Sequence, residues 1–324
     1  MIEVDLDFLE AFEPRSRERV VNFVACVAGG LIRLGRDTPR RVEGLPLPSS
    51  PVIFATNHSH VLDFLPLWLE LLSRGEHLVG LVKARMYKNA RNRTLMRWIG
   101  NNLPIVSRGY LIAADFRGLM GRRPTDEEYR NLRDHLDLGH SLPEKSPYRE
   151  VTRTPREILG RSFRPEAESY RAAMCDLYYR MMQHMVDSAR VYVGQGHHIH
   201  IYPEGQIAQC LTRGHTGVVH LALALELDIV PVGVSGTREA FLGNTPLTKG
   251  GEFRVRFGEP LRVAPDLVPR DFRPFHPIDQ HQNEETLQSV ADEVMQRLDG
   301  LVDGDYGFPR RQKLKEPDGV ERFY

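Results

Sequence analysis

The stretch Thr56-Asn57-His58-Ser59-His60-Val61-Leu62-Asp63 follows the apolar run Val52-Ile53-Phe54-Ala55 and precedes Phe64-Leu65-Pro66-Leu67-Trp68-Leu69. On a continuous helix, residues five apart are rotated by roughly 140°, at about 100° per residue, so His58 and Asp63 cannot share a helical face. They meet if His58 lies in the turn after a strand and Asp63 opens the next helix. The flanks agree with this. The run before the turn is β-branched and aromatic, as in a buried strand, and Pro66 falls in a first helical turn, where proline is tolerated. A carboxylate so placed holds one imidazole nitrogen and leaves the other to take a proton from a hydroxyl or amine. A His near an Asp is more often a plain structural hydrogen bond, so the rest of the chain decides.

Working outward, other strand-like runs end in polar residues. Leu78-Val79-Gly80-Leu81-Val82 ends at Lys83, and Leu103-Pro104-Ile105-Val106 ends at Ser107-Arg108. His198-Ile199-His200-Ile201-Tyr202 alternates as a half-buried strand does and runs into Pro203-Glu204-Gly205. Ile229-Val230-Pro231-Val232-Gly233-Val234 reads as a buried strand, and Phe253 to Phe257 as an alternating, edge-like one. Between them lie helical patterns: a basic one at 88–99, a long one at 166–193, an apolar one at 215–224 and another at 284–301. In the long one, Tyr170, Met174, Leu177, Met181, Met185 and Val186 recur at helical spacing, the mark of core packing. The expected fold is α/β, a single domain with a central mixed sheet flanked by helices.

Composition narrows the class. Lys plus Arg and Asp plus Glu number 43 each in 324 residues, so no net field points to nucleic acid. The three cysteines, Cys26, Cys175 and Cys210, show no paired spacing and read as a reduced, cytoplasmic protein without a Cys-based zinc site. Met1 to Glu13 is acidic and does not read as a signal peptide. Residues 17–35 form an apolar run too short and too interrupted to span a bilayer. It reads either as a helix packed on the core or as an interfacial helix with Arg17, Arg19, Arg33 and Arg36 toward lipid phosphates.

Asn57-His58 with Asp63 resembles the first signature of the glycerolipid acyltransferase family, of the 1-acylglycerol-3-phosphate and glycerol-3-phosphate type. There, His, four residues and Asp form the catalytic dyad. Gly100 to Arg108 resembles the second motif, with Ser107 in place of its Asp; Pro203-Glu204-Gly205 resembles the third, with Gln206-Ile207 in place of Thr-Arg; and Ile229 to Val234 resembles the fourth. The resemblance covers roughly residues 38–260, with the motifs in family order, each at a strand end. It implies His58 and Asp63 as catalytic residues. It further implies Asn57, Lys83, Arg108, Glu204, Gly205 and Arg213 as substrate-binding residues, Arg213 standing in for the missing third-motif arginine. The implied reaction moves an acyl group from acyl-CoA or acyl-carrier protein to a glycerol phosphate or lysophospholipid hydroxyl. It needs no cofactor or metal and no nucleic acid partner. It places the protein in the cytoplasm, in peripheral contact with the inner membrane face.

The expected organisation is a helical, membrane-interfacial segment at 1–37, the acyltransferase domain at 38–270, and a helix with a charged tail at 271–324. Residues 38–50 are expected as a Pro- and Arg-rich linker. Residues 112–165 exceed the family's usual spacing and are expected as a partly helical excursion near the site. Three alternatives stand beside this reading. One is an acyltransferase for a different acceptor. Another is a metal-dependent hydrolase built on His58-Ser59-His60…Asp63 and His198-Ile199-His200. The third is a degenerate, lipid-binding member without turnover.

Overall fold

A computed structural model describes residues 3–36, 38–44, 48, 50–304 and 306–308. Its strands are β1 (Arg40–Gly44), β2 (Ile53–Thr56), β3 (Leu78–Lys83), β4 (Asn102–Ile105), β5 (Arg156–Ile158), β6 (Arg161–Phe163), β7 (His198–Ile201), β8 (Ile229–Ser235) and β9 (Phe253–Phe257). Seven of them form one mixed sheet in the order β1-β9-β8-β2-β7-β3-β4, while β5 and β6 make a separate antiparallel pair. The helices are α1 (Leu6–Glu10), α2 (Glu18–Leu34), α3 (Phe64–Ser73), α4 (Ala90–Ile99), α5 (Arg108–Met120) and α6 (Asp126–Leu138). They continue as α7 (Tyr148–Arg153), α8 (Tyr170–Gly194), α9 (Gly217–Leu225), α10 (Thr237–Ala240), α11 (Pro277–Gln282) and α12 (Glu284–Asp299).

The strands β8, β2, β7, β3 and β4 run parallel, with β9 antiparallel to β8 and β1 parallel to β9. Parallel strands need crossovers, and α3, α4 and α9 supply three of them. The carboxyl ends of five strands therefore share one sheet edge, where ligands of open α/β sheets gather. Thr56, Lys83, Ile105, Ile201 and Ser235 are the last residues of those strands.

Alternation along each strand feeds two cores. Ile53, Ala55, Val79, Leu103, Ile199 and Ile201 face the side covered by α5, α8, α9 and α12. Phe54, Val230, Val232, Val234 and Val255 face the side of α2 and α3. Fully burying each such side chain is worth about 1.5–3 kcal/mol. The six-residue stripe of α8, from Tyr170 to Val186, is buried throughout.

Two expectations change. Residues 38–50 are not only a linker, because Arg40–Gly44 is a strand, and its placement beside β9 makes β9 internal rather than an edge. Only Val42 is apolar in Arg-Arg-Val-Glu-Gly; cross-strand pairing of Glu43 with Arg256 at 3.1 Å helps to hold it. At the start of the long excursion, α5 runs through Gly118 to Met120 and ends in a left-handed Gly121. The long excursion adds α6, opened by a Thr125–Glu128 capping box, with α7 and the β5–β6 hairpin. Its Tyr129, Leu132, Leu136, Tyr148, Val151 and Phe163 are buried in the same core as the sheet.

In α2, Val21, Ala25, Ala28 and Ile32 pack inward while Phe23, Val27 and Leu34 are exposed. Among the described residues, no helix is long and apolar enough to cross a membrane. The tail from 309 onward lies outside the described residues.

Candidate active site

The turn after β2 is built by side chains that bond to backbone. Asn57, 1% exposed, spans to β8, where its amide donates to Val234 O at 2.9 Å and accepts from Val234 N–H at 2.7 Å. Its amide is thus engaged by backbone at both ends. Both ends of its amide extend the β2–β8 ladder one residue beyond the strand.

Asp63 is the N-cap residue of α3, yet its carboxylate turns back into the loop instead of capping the helix. It accepts from Ser59 N–H at 2.5 Å, His60 N–H at 2.6 Å and Ser59 Oγ at 3.2 Å, and from the Thr237 hydroxyl. Thr237 opens α10, just after β8. The residue is completely buried, and its Oδ2 lies 3.6 Å from His58 Nδ1. That distance is an ion-pair contact and is too long for a hydrogen bond; Nδ1 is buried without a hydrogen-bond partner. The opposite support for the imidazole is aromatic. The His58 ring stacks on Tyr202 with centroids 3.7 Å apart and planes at 13°. Tyr202 in turn meets His200 edge-on, and His200 is bonded to Thr56 Oγ1 at 2.8 Å. Burial, then the neighbouring His58, lowers His200 to about 3, so it is neutral at physiological pH. Burial and Asp63 raise the Tyr202 hydroxyl well above its ordinary value, and it stays neutral too.

Glu204 is 1% exposed and fully engaged. Its Oε1 accepts from His58 N–H at 2.9 Å, its Oε2 accepts from Thr212 N–H at 3.0 Å and Thr212 Oγ1 at 3.1 Å, and Tyr306 OH donates to it at 3.2 Å. Burial pushes this carboxyl up and the four donors pull it back, leaving it at about 7. Glu204 therefore holds the His58 backbone. Gly205 is also structural: its φ of +65° is the left-handed region, and a Cβ there would stand 3.2 Å from the His215 ring.

The cationic residues are more scattered. Lys83 ends β3, exposed, on the same sheet edge. Ser107 is the N-cap of α5, accepting from Tyr110 N–H at 3.1 Å. Arg108 follows it, bound to Asp137 of α6 at 2.8 Å and lying over the Tyr178 ring. It borders a cleft of about 200 Å³ shared with Arg133, Asp134, Asp137 and Glu284. Arg213 is 55% exposed and 3.9 Å from Asp292. None of these partners is shared with His58.

The imidazoles of the alternative metal motif diverge. His60 Nδ1 accepts from Leu62 N–H, its Nε2 lies 3.0 Å from Gly243 O, and His198 pairs with Glu76. No set of three His, Cys, Asp or Glu converges among the described residues. Sequence reasoning missed Thr212, Thr237 and Tyr306, and gave Tyr202 no role beyond its strand. Thr237 had one available signal, its place just past a buried strand; Tyr306 had none.

No protein-family model matches the chain, and no curated protein matches it significantly. Among solved structures, it is similar to the 1-acyl-sn-glycerophosphate (LPA) acyltransferase PlsC from Thermotoga maritima. The two share 13% identity, over 89% of this chain and 86% of that one, with a TM-score of 0.38. So loose a likeness leaves the functional reading to the geometry.

Proposed function

We propose that the protein is an O-acyltransferase in which His58 is the general base and Asp63 its electrostatic partner. The observation that carries this reading is the His58 imidazole, clamped between the Tyr202 face and the Asp63 carboxylate at the carboxyl edge of a parallel sheet. In the reaction, Nε2 takes the proton of the acceptor hydroxyl as its oxygen attacks the thioester carbonyl of acyl-CoA or acyl-carrier protein. The tetrahedral intermediate collapses, the C–S bond breaks, and the thiolate leaves with the proton returned by the imidazolium. Asp63 stabilises the imidazolium through its charge, and the contact tightens when Nδ1 carries its proton in the substrate complex. No enzyme nucleophile is required, because the thioester is already activated.

The acceptor is a glycerol phosphate or lysophospholipid. Arg108 already holds a carboxylate, and a phosphate competes with Asp137 for the same guanidinium. Lys83 and Arg213 are the further candidates for that charge. Phe23, Val27 and Leu34 of α2, with Arg19 and Arg33 on the same exposed helix, form the face that meets a lipid surface.

A second reading, lipid binding without turnover, draws on the 3.6 Å gap and on the saturation of Asp63 by turn donors. One experiment separates the two. Thiol release from long-chain acyl-CoA and acyl-carrier protein is measured with glycerol 3-phosphate, lysophosphatidic acid and a lyso-lipid without phosphate, for wild type and His58→Ala. Acceptor-dependent release that vanishes in the variant supports the transferase. Release equal in both proteins rules out His58 as base, and silence with every donor and acceptor favours the binding protein.

A further inference from the structure

The segment after α12 returns to the carboxyl edge of the sheet by a route with several fixed points. Leu301 lies against Gly233 of β8, where a Cβ would stand 2.3 Å from Leu301 O, so only glycine lets the segment approach this closely. Arg256 donates to Leu301 O at 3.0 Å, and Asp303 N–H donates to Ser235 Oγ at 3.1 Å. The Asp303 carboxylate sits between Arg256 at 2.9 Å and Arg254 at 3.3 Å. Phe308 N–H then donates to Asp299 at 2.7 Å, tying the far end back to α12.

Between these points Tyr306 makes two contacts with the loop after β7. Its carbonyl accepts from Leu211 N–H at 2.8 Å, and its hydroxyl donates to Glu204 Oε1 at 3.2 Å. That same oxygen accepts His58 N–H. The other carboxylate oxygen is held by Thr212, so Oε1 has two main donors: the backbone of His58 and the hydroxyl of Tyr306. The loop holds the other side of His58 as well, through Ala208 N–H to His58 O at 2.9 Å. The peptide flanks of the proposed base thus hang from a loop that residue 306 pins in two places.

We infer that residues 301–304 and 306–308 are an integral part of the active site, with Tyr306 a positioning residue that sets His58 through Glu204. This rests on His58 being the base. The Tyr306 ring supplies packing, but the hydroxyl supplies aim: without it, Oε1 keeps only the His58 N–H, and the carboxylate is free to turn toward Thr212. The groups facing Glu204 are the His58 N–H, both Thr212 donors and Tyr306. Asp63 is the charged neighbour felt by Tyr306 beyond Glu204 itself.

The test is Tyr306→Phe in the full chain, read by amide hydrogen exchange over residues 56–64 and by steady-state turnover of acyl-CoA. Gly233→Ala serves as a second variant that displaces Leu301 without touching Tyr306. Both are expected to speed exchange at 56–64. Tyr306→Phe should lower kcat about tenfold, the size of one lost hydrogen bond, with the acyl-donor KM unchanged and the thermal midpoint lowered by no more than a few degrees. Wild-type exchange at 56–64 in Tyr306→Phe overturns the relay. Faster exchange with wild-type kcat overturns the positioning role. If His58→Ala retains full activity, the general-base reading fails by itself, while the exchange result still judges the link from Tyr306 to the His58 loop.

Discussion

The two halves of the proposed site are built on different principles. Around His58, the amide and carboxylate side chains that shape the turn answer backbone groups: Asn57 serves Val234, Asp63 serves Ser59 and His60, and Glu204 serves His58 and Thr212. These contacts are buried and neutralised by donors. Around Arg108, charge answers charge across a partly open cleft, with Asp137 and Arg108 each about one-quarter exposed. The first kind of contact fixes atoms in place at high cost if broken, and the second exchanges readily with solvent or ligand. A proton-transfer centre needs fixed geometry, whereas an anion seat has to be emptied and refilled.

That contrast can be broken at several points. The largest effect is expected at His58: His58→Ala should lower kcat by about 10² to 10⁴-fold with the fold retained, measured by thiol release and circular dichroism. A smaller loss would move the proton-transfer role elsewhere. Asp63→Ala strands four donors in a buried turn, so it should cost about 3 kcal/mol of stability in urea unfolding besides its loss of turnover. An Asp63 variant as stable as wild type would mean the turn does not depend on it. Asn57→Ala should cost about 2 kcal/mol for its two backbone bonds while leaving substrate KM unchanged; a selective rise in KM would restore it to substrate.

Glu204 gives a pH signature. Its carboxyl is raised in the folded protein to about 7, from near 4.5. The stability it contributes is therefore complete below about 4.5 and is lost as pH rises through about 7. Relative to Glu204→Gln, wild type should lose up to about 1.4 kcal/mol per pH unit across that window and change no further above it. Parallel pH–stability curves for the two proteins would contradict the burial of an ionisable Glu204. The smallest effect is expected on the other side of the comparison. Asp137→Asn should lower the KM for a phosphorylated acceptor only about threefold, as suits a partly exposed ion pair, and leave a phosphate-free acceptor unaffected. An equal change for both acceptors would detach Arg108 from phosphate.

The sequence made the parallel strands legible because each is a short β-branched run stopped by a polar turn, and the turn residues carry the chemistry. It was ambiguous where side chains bond to backbone. Asn57, Glu204 and Gly205 look like ligand contacts in one dimension, and only the fold reveals that they also serve Val234, the His58 peptide and a left-handed turn. It was silent on β1, whose Arg-Arg-Val-Glu-Gly has a single apolar residue and depends on β9 for its pairing. Long separations hide the rest. Thr237 lies 174 residues from Asp63 and Tyr306 lies 102 from Glu204, and no periodicity spans such gaps.

The crossing of Leu301 over Gly233 has a consequence for synthesis. A chain emerging from the ribosome carries His58, Asp63 and Glu204 long before Tyr306, so the sheet can assemble while the loop around Glu204 still lacks one of its ties. Completion of the site then has to wait until residue 306 has left the ribosome. A ribosome stalled short of residue 306 would hold a domain that has collapsed but has not yet acquired a finished centre.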